Sequence, residues 1–258
     1  MKLFNLFSKE TINFQDNLHH SQFKGYFKKR LQAYEEIKNY EKINSYKSLL
    51  DYLYQKYPIG MIPHYDYPFL FHFRHIFEKL NNPLIVNDFG GNFGAHFNAV
   101  SNFLPGTTSE WNIYEEESII DDLEELNSPP TFSPGINFYK SNDTFRNCNV
   151  VYASGSIQYY DIETPVELLT QIPDKPQFVI FNQIPLDNNI ECNFYTLQNI
   201  FKQIVVNTVF SEKYFINEMN AFGYTLKDQW KDYSANCNIL NHEYNLPFYS
   251  GQFYQLIN

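Results

Sequence analysis

Between Leu84 and Gly94 the chain reads Leu-Ile-Val-Asn-Asp-Phe-Gly-Gly-Asn-Phe-Gly, an apolar strand that closes on an acid and turns through glycines into a helix. Few folds accommodate that order. Glycine accepts positive φ, and its missing Cβ lets backbone approach a ligand across the strand end, which is the use made of it in the first turn of a nucleotide-binding βαβ unit. Gly90, Gly91 and Gly94 take those places. Twenty-one residues beyond Gly94 a second apolar strand ends at Glu115, where a carboxylate can accept both hydroxyl protons of a ribose; Glu116 takes that role if the register slips by one.

The rest of the chain frames this unit. After Asn81-Asn82-Pro83 short apolar runs alternate with helical segments, which predicts a mostly parallel sheet. The expected strands are Leu84–Asp88, Trp111–Glu115, Ile136–Lys140, Asn149–Ala153 and Gln177–Asn182. Helices are expected over Thr196–Val205 and Ser211–Phe222, followed by extended segments Tyr224–Trp230 and Phe248–Leu256 that close one sheet edge as an antiparallel pair. Before residue 83, apolar residues from Phe23 to Tyr40 recur at three and four positions, the period of an amphipathic helix. Lys24, Lys28, Lys29 and Arg30 read as its solvated face. Further helices are expected over Tyr46–Tyr57 and Phe69–Leu80. The expectation is an α/β chain with an N-terminal helical extension over 1–82 and a ligand-binding domain over 83–258.

Composition narrows the partners. Hydrophobic residues make up 43% of the 258, with 25 Phe and 21 Tyr among them, enough for a large core. A net charge of -10 argues against nucleic acid, whose binding rests on Lys and Arg displacing counterions. Cys148, Cys192 and Cys237 are odd in number and far apart, which suggests neither a disulfide framework nor a zinc site and fits a reducing cytoplasm. No window approaches the roughly 18 apolar residues of a membrane span, and Met1–Phe7 is too short and broken for a secretion signal.

The turn also discriminates between cofactors. Dinucleotide sites use G-x-G-x-x-G so that a pyrophosphate can sit on the helix N-terminus. Here the order is D-x-G-G-x-x-G with Asp88 at the strand end, and a carboxylate repels a pyrophosphate but attracts the amino group and sulfonium of S-adenosylmethionine. Asp88 therefore favours the methyl donor. Asn142 and Asp143 follow the third strand, within reach of an adenine amino group; ordinary turn chemistry explains them equally well. The fourth strand runs into Ala153-Ser154-Gly155-Ser156-Ile157-Gln158-Tyr159-Tyr160, which puts Ser154 and Gly155 at the cofactor and Gln158 and Tyr159 toward the reaction space.

These residues resemble the class I S-adenosylmethionine-dependent methyltransferases, and more closely a family of methyltransferases from bacterial polysaccharide (capsule and O-antigen) gene clusters. The likeness rests on Asn87–Gly94, Trp111–Glu115 and Ala153–Tyr159, and continues through Thr196-Leu197-Gln198, Gly223-Tyr224 with Trp230, and Gly251–Tyr254. It implies a Rossmann-like, seven-stranded sheet with an antiparallel last strand, and methylation of a surface glycan or its precursor. One departure is Phe181-Asn182-Gln183-Ile184-Pro185, where the family pattern has an arginine after the fifth strand; a shared substrate contact at Asn182 rests on that position.

Methyl transfer from a sulfonium needs an acceptor held in line more than it needs a nucleophile on the protein. A hydroxyl acceptor also calls for a base, and histidine serves near neutral pH. His96, two residues after Gly94, His242 before the last strand, and Tyr159 are the candidates. Tyr65, in a proline-flanked segment with His64, is a candidate acceptor contact together with Gln158 and Asn182. His72 and His75 read as packing or surface, and the acidic run from Glu115 to Glu125 as a solvated helix face, so no metal is expected. The acceptor is a sugar or a phosphorylated metabolite, a homodimer stays open, and the alternatives are an N- or carboxyl-methyltransferase or a non-catalytic cofactor-binding partner.

Overall fold

The computed structural model describes residues 14–15, 22–42, 62–91, 94–125, 135–200 and 202–257. In chain order its strands are β1 (Gln22–Phe27), β2 (Leu84–Phe89), β3 (Thr108–Glu115), β4 (Ile136–Lys140), β5 (Val150–Ser154), β6 (Phe178–Ile184), β7 (Leu186–Asp187), β8 (Phe194–Ile200), β9 (Gln203–Ser211), β10 (Tyr224–Asp232), β11 (Cys237–Asn238), β12 (Asn245–Leu246) and β13 (Tyr249–Leu256). The helices are α1 (Arg30–Ile37), α2 (Tyr67–Leu80), α3 (Ala95–Phe103), α4 (Glu117–Glu125), α5 (Val166–Leu169) and α6 (Glu212–Ala221). The Tyr46–Tyr57 helix and the Met1–Phe7 segment of the sequence analysis lie outside the described residues.

Seven strands form one sheet in the order β10-β13-β6-β5-β2-β3-β4, with β13 antiparallel to both of its neighbours and the pairs among β6, β5, β2, β3 and β4 parallel. This is the seven-stranded, mostly parallel Rossmann-like sheet expected from the sequence, and the terminal antiparallel pair closes it as the sequence suggested. One face is covered by α2 and α3, whose Phe69, Phe73, Ile76, Phe97 and Val100 pack on Val86, Trp111 and Ile180. The opposite face receives Leu168 and Leu169 of α5 and Phe215 and Met219 of α6. Such side chains each contribute about 1.5–3 kcal/mol by leaving water, which is what holds the three layers together.

Buried parallel strands usually read as unbroken apolar runs, yet four of these carry asparagine, and three of the four form a ladder. Asn87, Asn112 and Asn137 are in register across β2, β3 and β4. Asn137 Nδ2 donates to Asn112 Oδ1 (3.0 Å), Asn112 Nδ2 to Asn87 Oδ1 (3.1 Å), and Asn87 Nδ2 to the Arg146 carbonyl (2.7 Å). A polar group in the core is tolerable only when partnered, and a slip of one residue in either pairing would break this ladder.

Two expected helices are strands. Phe23 to Phe27 belongs to β1, which pairs with β8, and helix begins only at Arg30. Thr196 to Val205 is a hairpin: β8 and β9 pair antiparallel from Phe194↔Val209 to Ile200↔Gln203, closing through Lys202 at φ +72°. The β-branched run Ile204-Val205-Val206 suits a pleated surface, and cross-strand pairing decided the outcome over local periodicity. With β7, these form a second sheet in the order β1-β8-β9-β7, which carries residues from both ends of the chain.

Candidate functional site

The chain runs from β2 outward through β3 to β4, then returns to lay β5 and β6 on the other side of β2. The reversal leaves a crevice beyond the carboxyl ends of β2 and β5, the place where open α/β sheets bind ligands. The two turns that face each other there are Asp88-Phe89-Gly90-Gly91 and Ser154-Gly155-Ser156. They touch: Ser156 Oγ donates to the Phe89 carbonyl (2.5 Å), and a Cβ on Gly90, at φ +71°, would lie 2.3 Å from Ser156 Cβ. Gly91 is required for a different reason, since a Cβ there would come 2.4 Å from Asp88 Oδ2. Gly94 begins α3 at φ +83°.

Asp88 is fully buried. Its Oδ2 accepts from Trp111 Nε1 at 2.9 Å and lies 3.5 Å from His96 Nδ1, whereas Oδ1 has no hydrogen-bond partner among the described residues. Neither a lysine nor an arginine forms an ion pair with Asp88 among the described residues. The site at the end of β2 is therefore negative, with an acceptor lone pair left over.

Glu115, at the end of β3, is buried and its Oε1 accepts from the Glu116 backbone N–H at 3.1 Å. Near both it and Asp88 is Tyr160, to which the sequence analysis gave no role. Its hydroxyl donates to the Tyr114 carbonyl (3.3 Å) and its ring meets Phe89 edge-on at 6.2 Å. Burial pushes the Tyr160 phenol well above its ordinary pKa, and the carboxylates of Glu115 and then Asp88 push it further. The two carboxylates thus share one neighbourhood. Asn142 and Asp143 are exposed in the turn after β4, and Asp143 Oδ2 accepts from the Lys140 backbone N–H at 2.8 Å, so this pair closes its own turn.

On the α2 side Asn182 binds several groups at once. Its Nδ2 donates to Asp66 Oδ1 (2.9 Å), the Tyr65 carbonyl (3.3 Å) and Ser154 Oγ (3.3 Å), and its Oδ1 accepts from Trp230 Nε1 (3.0 Å). Ser154, Tyr65 and Asn182 are brought together, and Asp66 and Trp230 are the members missed by sequence reasoning. Tyr152 lies near both clusters: its phenol is pushed well up by burial, then by Asp66 and by Asp88. The His96 ring packs edge-on to Tyr152 at 5.0 Å and is 4% exposed.

The remaining candidates make contacts of their own. Gln158 and Tyr159 sit in the 3-10 turn after β5, with Gln158 fully buried and the Tyr159 hydroxyl donating to Gln198 Oε1 on β8 (2.9 Å). Burial raises the Tyr159 pKa to about 12. His242 is exposed and stacks on Tyr26 at 5.1 Å, with its Nδ1 accepting from the Tyr244 backbone N–H. Arg30 also departs from expectation. It is buried, not a solvated face residue: its guanidinium donates to the Tyr160 carbonyl (2.6 Å), the Ile162 carbonyl and Thr208 Oγ1 (3.1 Å), and pairs with Asp161 (3.0 Å). It fastens the loop that carries Tyr160 to the second sheet. No three His, Cys, Asp or Glu side chains gather as a metal site among the described residues, and no helix among them is long and apolar enough to cross a membrane.

No protein-family model matches the chain, and no curated protein matches it. Among solved structures it is similar to a Listeria monocytogenes protein put forward as an S-adenosylmethionine dependent methyltransferase, at 14% identity over 72% of this chain and 98% of that one, with a TM-score of 0.48. It is also similar to the Burkholderia thailandensis 1,6-didemethyltoxoflavin-N1-methyltransferase, solved with 1,6-didemethyltoxoflavin and S-adenosylhomocysteine, at 10% identity over 82% and 87% of the two chains and a TM-score of 0.45. A third likeness is to magnesium protoporphyrin IX methyltransferase from Synechocystis PCC 6803 with bound S-adenosylhomocysteine, at 10% identity over 83% and 96% and a TM-score of 0.43.

Proposed function

We propose that this chain binds S-adenosylmethionine at the β2–β5 crevice and transfers its methyl group to a small acceptor. The observation that carries the reading is Asp88: a buried carboxylate at the end of the first core strand, beside the glycine turn, with Oδ1 unpartnered and neither lysine nor arginine paired to it among the described residues, His96 being the one basic side chain near it there. That environment repels a pyrophosphate and suits an ammonium and a sulfonium. Gly90, Gly91, Gly94, Ser154 and Gly155 supply backbone around it, and Glu115, with Tyr160 beside it, suits the adenosine end. When bound, the donor supplies an activated methyl carbon; the protein's share is to orient donor and acceptor and keep water out.

Our reading of the acceptor is a hydroxyl of a sugar or nucleotide-sugar precursor of a surface polysaccharide, as the sequence resemblance implies, with the enzyme working in the cytoplasm. The alternative is an amine or carboxylate acceptor. For a hydroxyl, the proton goes to His96 in this reading, because Asp88 Oδ2 at 3.5 Å from Nδ1 stabilises the imidazolium. Unaltered turnover in His96→Asn removes it from that role.

Calorimetry with S-adenosylmethionine, S-adenosylhomocysteine and NAD tests the donor. The expected result is saturable binding of both sulfur compounds and none of NAD; binding of NAD alone overturns the proposal.

A further inference from the structure

The face of the second sheet turned toward the turn after β5 carries a run of uncharged polar side chains with no part in the donor site. Alternation along β8 and β9 puts Leu197, Ile204 and Val206 on the face packed against α1, and Phe194 and Val209 on the other. Thr196 and Gln198 of β8 and Asn207 of β9 share that second face, with Thr196 directly opposite Asn207. The Tyr159 hydroxyl reaches the same face by donating to Gln198 Oε1.

Three buried atoms here have no hydrogen-bond partner among the described residues: Asn207 Nδ2, Asn207 Oδ1 and Gln158 Oε1. Asn207 is 0% exposed and Gln158 1%. An amide buried with both ends unmatched is costly, and such a group in a folded protein calls for a specific explanation. The neighbouring side chains Thr196, Gln198 and Tyr159 bear no charge.

We infer that Asn207 and Gln158 form a subsite for a neutral, hydroxyl-bearing part of the acceptor. Two carbonyl oxygens and one amide nitrogen ask for a ligand that both donates and accepts, which a pair of vicinal hydroxyls does. Among the described side chains beside these atoms, Thr196, Gln198 and Tyr159, there is no cation to offset a phosphate facing two carbonyl oxygens and no carboxylate to hold an ammonium against the amide NH2. The inference rests on the methyl-transfer reading, because it assigns the acceptor end of that site, and it places the uncharged ring of a sugar, not a phosphate, against β9.

The test uses the full chain saturated with S-adenosylhomocysteine, with methyl α-D-glucopyranoside as the probe and methyl phosphate and methylammonium as controls, read by saturation-transfer NMR. Saturable binding of the glycoside and of neither control is expected, weakened at least about tenfold in Asn207→Leu. Gln158→Leu serves as the second variant if the first does not fold. S-adenosylhomocysteine affinity stays unchanged in both variants. Absence of glycoside binding in the wild type, equal binding in the folded variants, or a crystal soaked with the glycoside that shows only ordered water at Asn207 overturns the subsite. Glycoside binding in a protein that does not bind S-adenosylhomocysteine would instead sink the donor reading and leave the subsite standing.

Discussion

Trp111 Nε1 donates to Asp88 Oδ2 at 2.9 Å, one strand over in the sheet and 23 positions away in the chain. The indole holds one carboxylate oxygen in place, and the other has no hydrogen-bond partner among the described residues. Replacing Asp88 by Asn keeps the shape and removes the charge, so affinity for S-adenosylhomocysteine should fall at least about tenfold, or 1.4 kcal/mol. Calorimetry on the folded variant checks this, and an unchanged constant would move the donor away from Asp88.

Trp111→Phe separates holding from charge. The ring volume stays largely filled while the buried carboxylate loses a donor, which should cost about 1–3 kcal/mol of stability in urea denaturation. A variant as stable as the wild type would mean that the indole contributes packing alone.

Gly91 and Gly106 make a matched pair for the glycine turn. A Cβ on Gly91 meets Asp88 Oδ2 at 2.4 Å, whereas one on Gly106, at φ +74°, meets nothing within 4 Å. Gly106→Ala should therefore show only backbone strain, about 1 kcal/mol, with donor affinity kept. Gly91→Ala should displace the carboxylate and lower donor affinity; equal affinities in the two variants would show that the Asp88 rotamer does not matter.

His72 sets a pH dependence. It is buried, its Nε2 contacts Asp228 Oδ2 at 2.9 Å and its ring stacks on Phe253, and burial lowers its pKa below 6.5 despite that carboxylate. The unfolded chain then binds the proton more readily, so this contribution to stability is complete above pH 6.5 and is lost as pH falls through 6.5 toward the lower folded value. Thermal melts of wild type and His72→Phe between pH 5 and 8 should run parallel above about pH 6.5, where imidazole ordinarily titrates, and diverge below it, the wild type losing stability more steeply; parallel curves throughout would remove His72 as the cause.

Arg30 ties the second sheet to the loop after β5. Arg30→Met should cost about 2 kcal/mol by leaving the Tyr160 and Ile162 carbonyls without their charged donor, and should also weaken donor affinity, because Tyr160 lies near both Glu115 and Asp88. Arg30→Lys, which retains charge but not the planar fork, should restore little of it. Loss of stability with donor affinity intact would confine Arg30 to a structural role.

Local pattern was enough for the core. A strand followed by glycines, the acid at its end and the second acid at Glu115 are set by neighbouring residues and by spacing, and so are the five parallel strands and the terminal antiparallel pair. Those features depend on φ preferences and alternation that act within a few residues, where a sequence speaks directly. The strands β1, β8 and β9 were not legible, because the same apolar recurrence from Phe23 to Tyr40 and over Thr196 to Val205 fits a helix until β1 is laid against β8.

The chemistry that no local pattern carries is the chemistry of partners distant in the chain. Nothing near Arg30 marks it as buried; only its contacts more than 100 positions away, at Tyr160, Ile162 and Thr208, do so. Asp66 likewise acquires its place through Asn182, and Asn207 its unmatched amide through the face that β9 presents. The amino-acid sequence by itself determined the sheet, the glycine turn and the sign of charge at its mouth. Which carboxylates, amides and tyrosines converge on that turn was decided by tertiary structure, since hydrogen bonding and desolvation act through space and not along the chain.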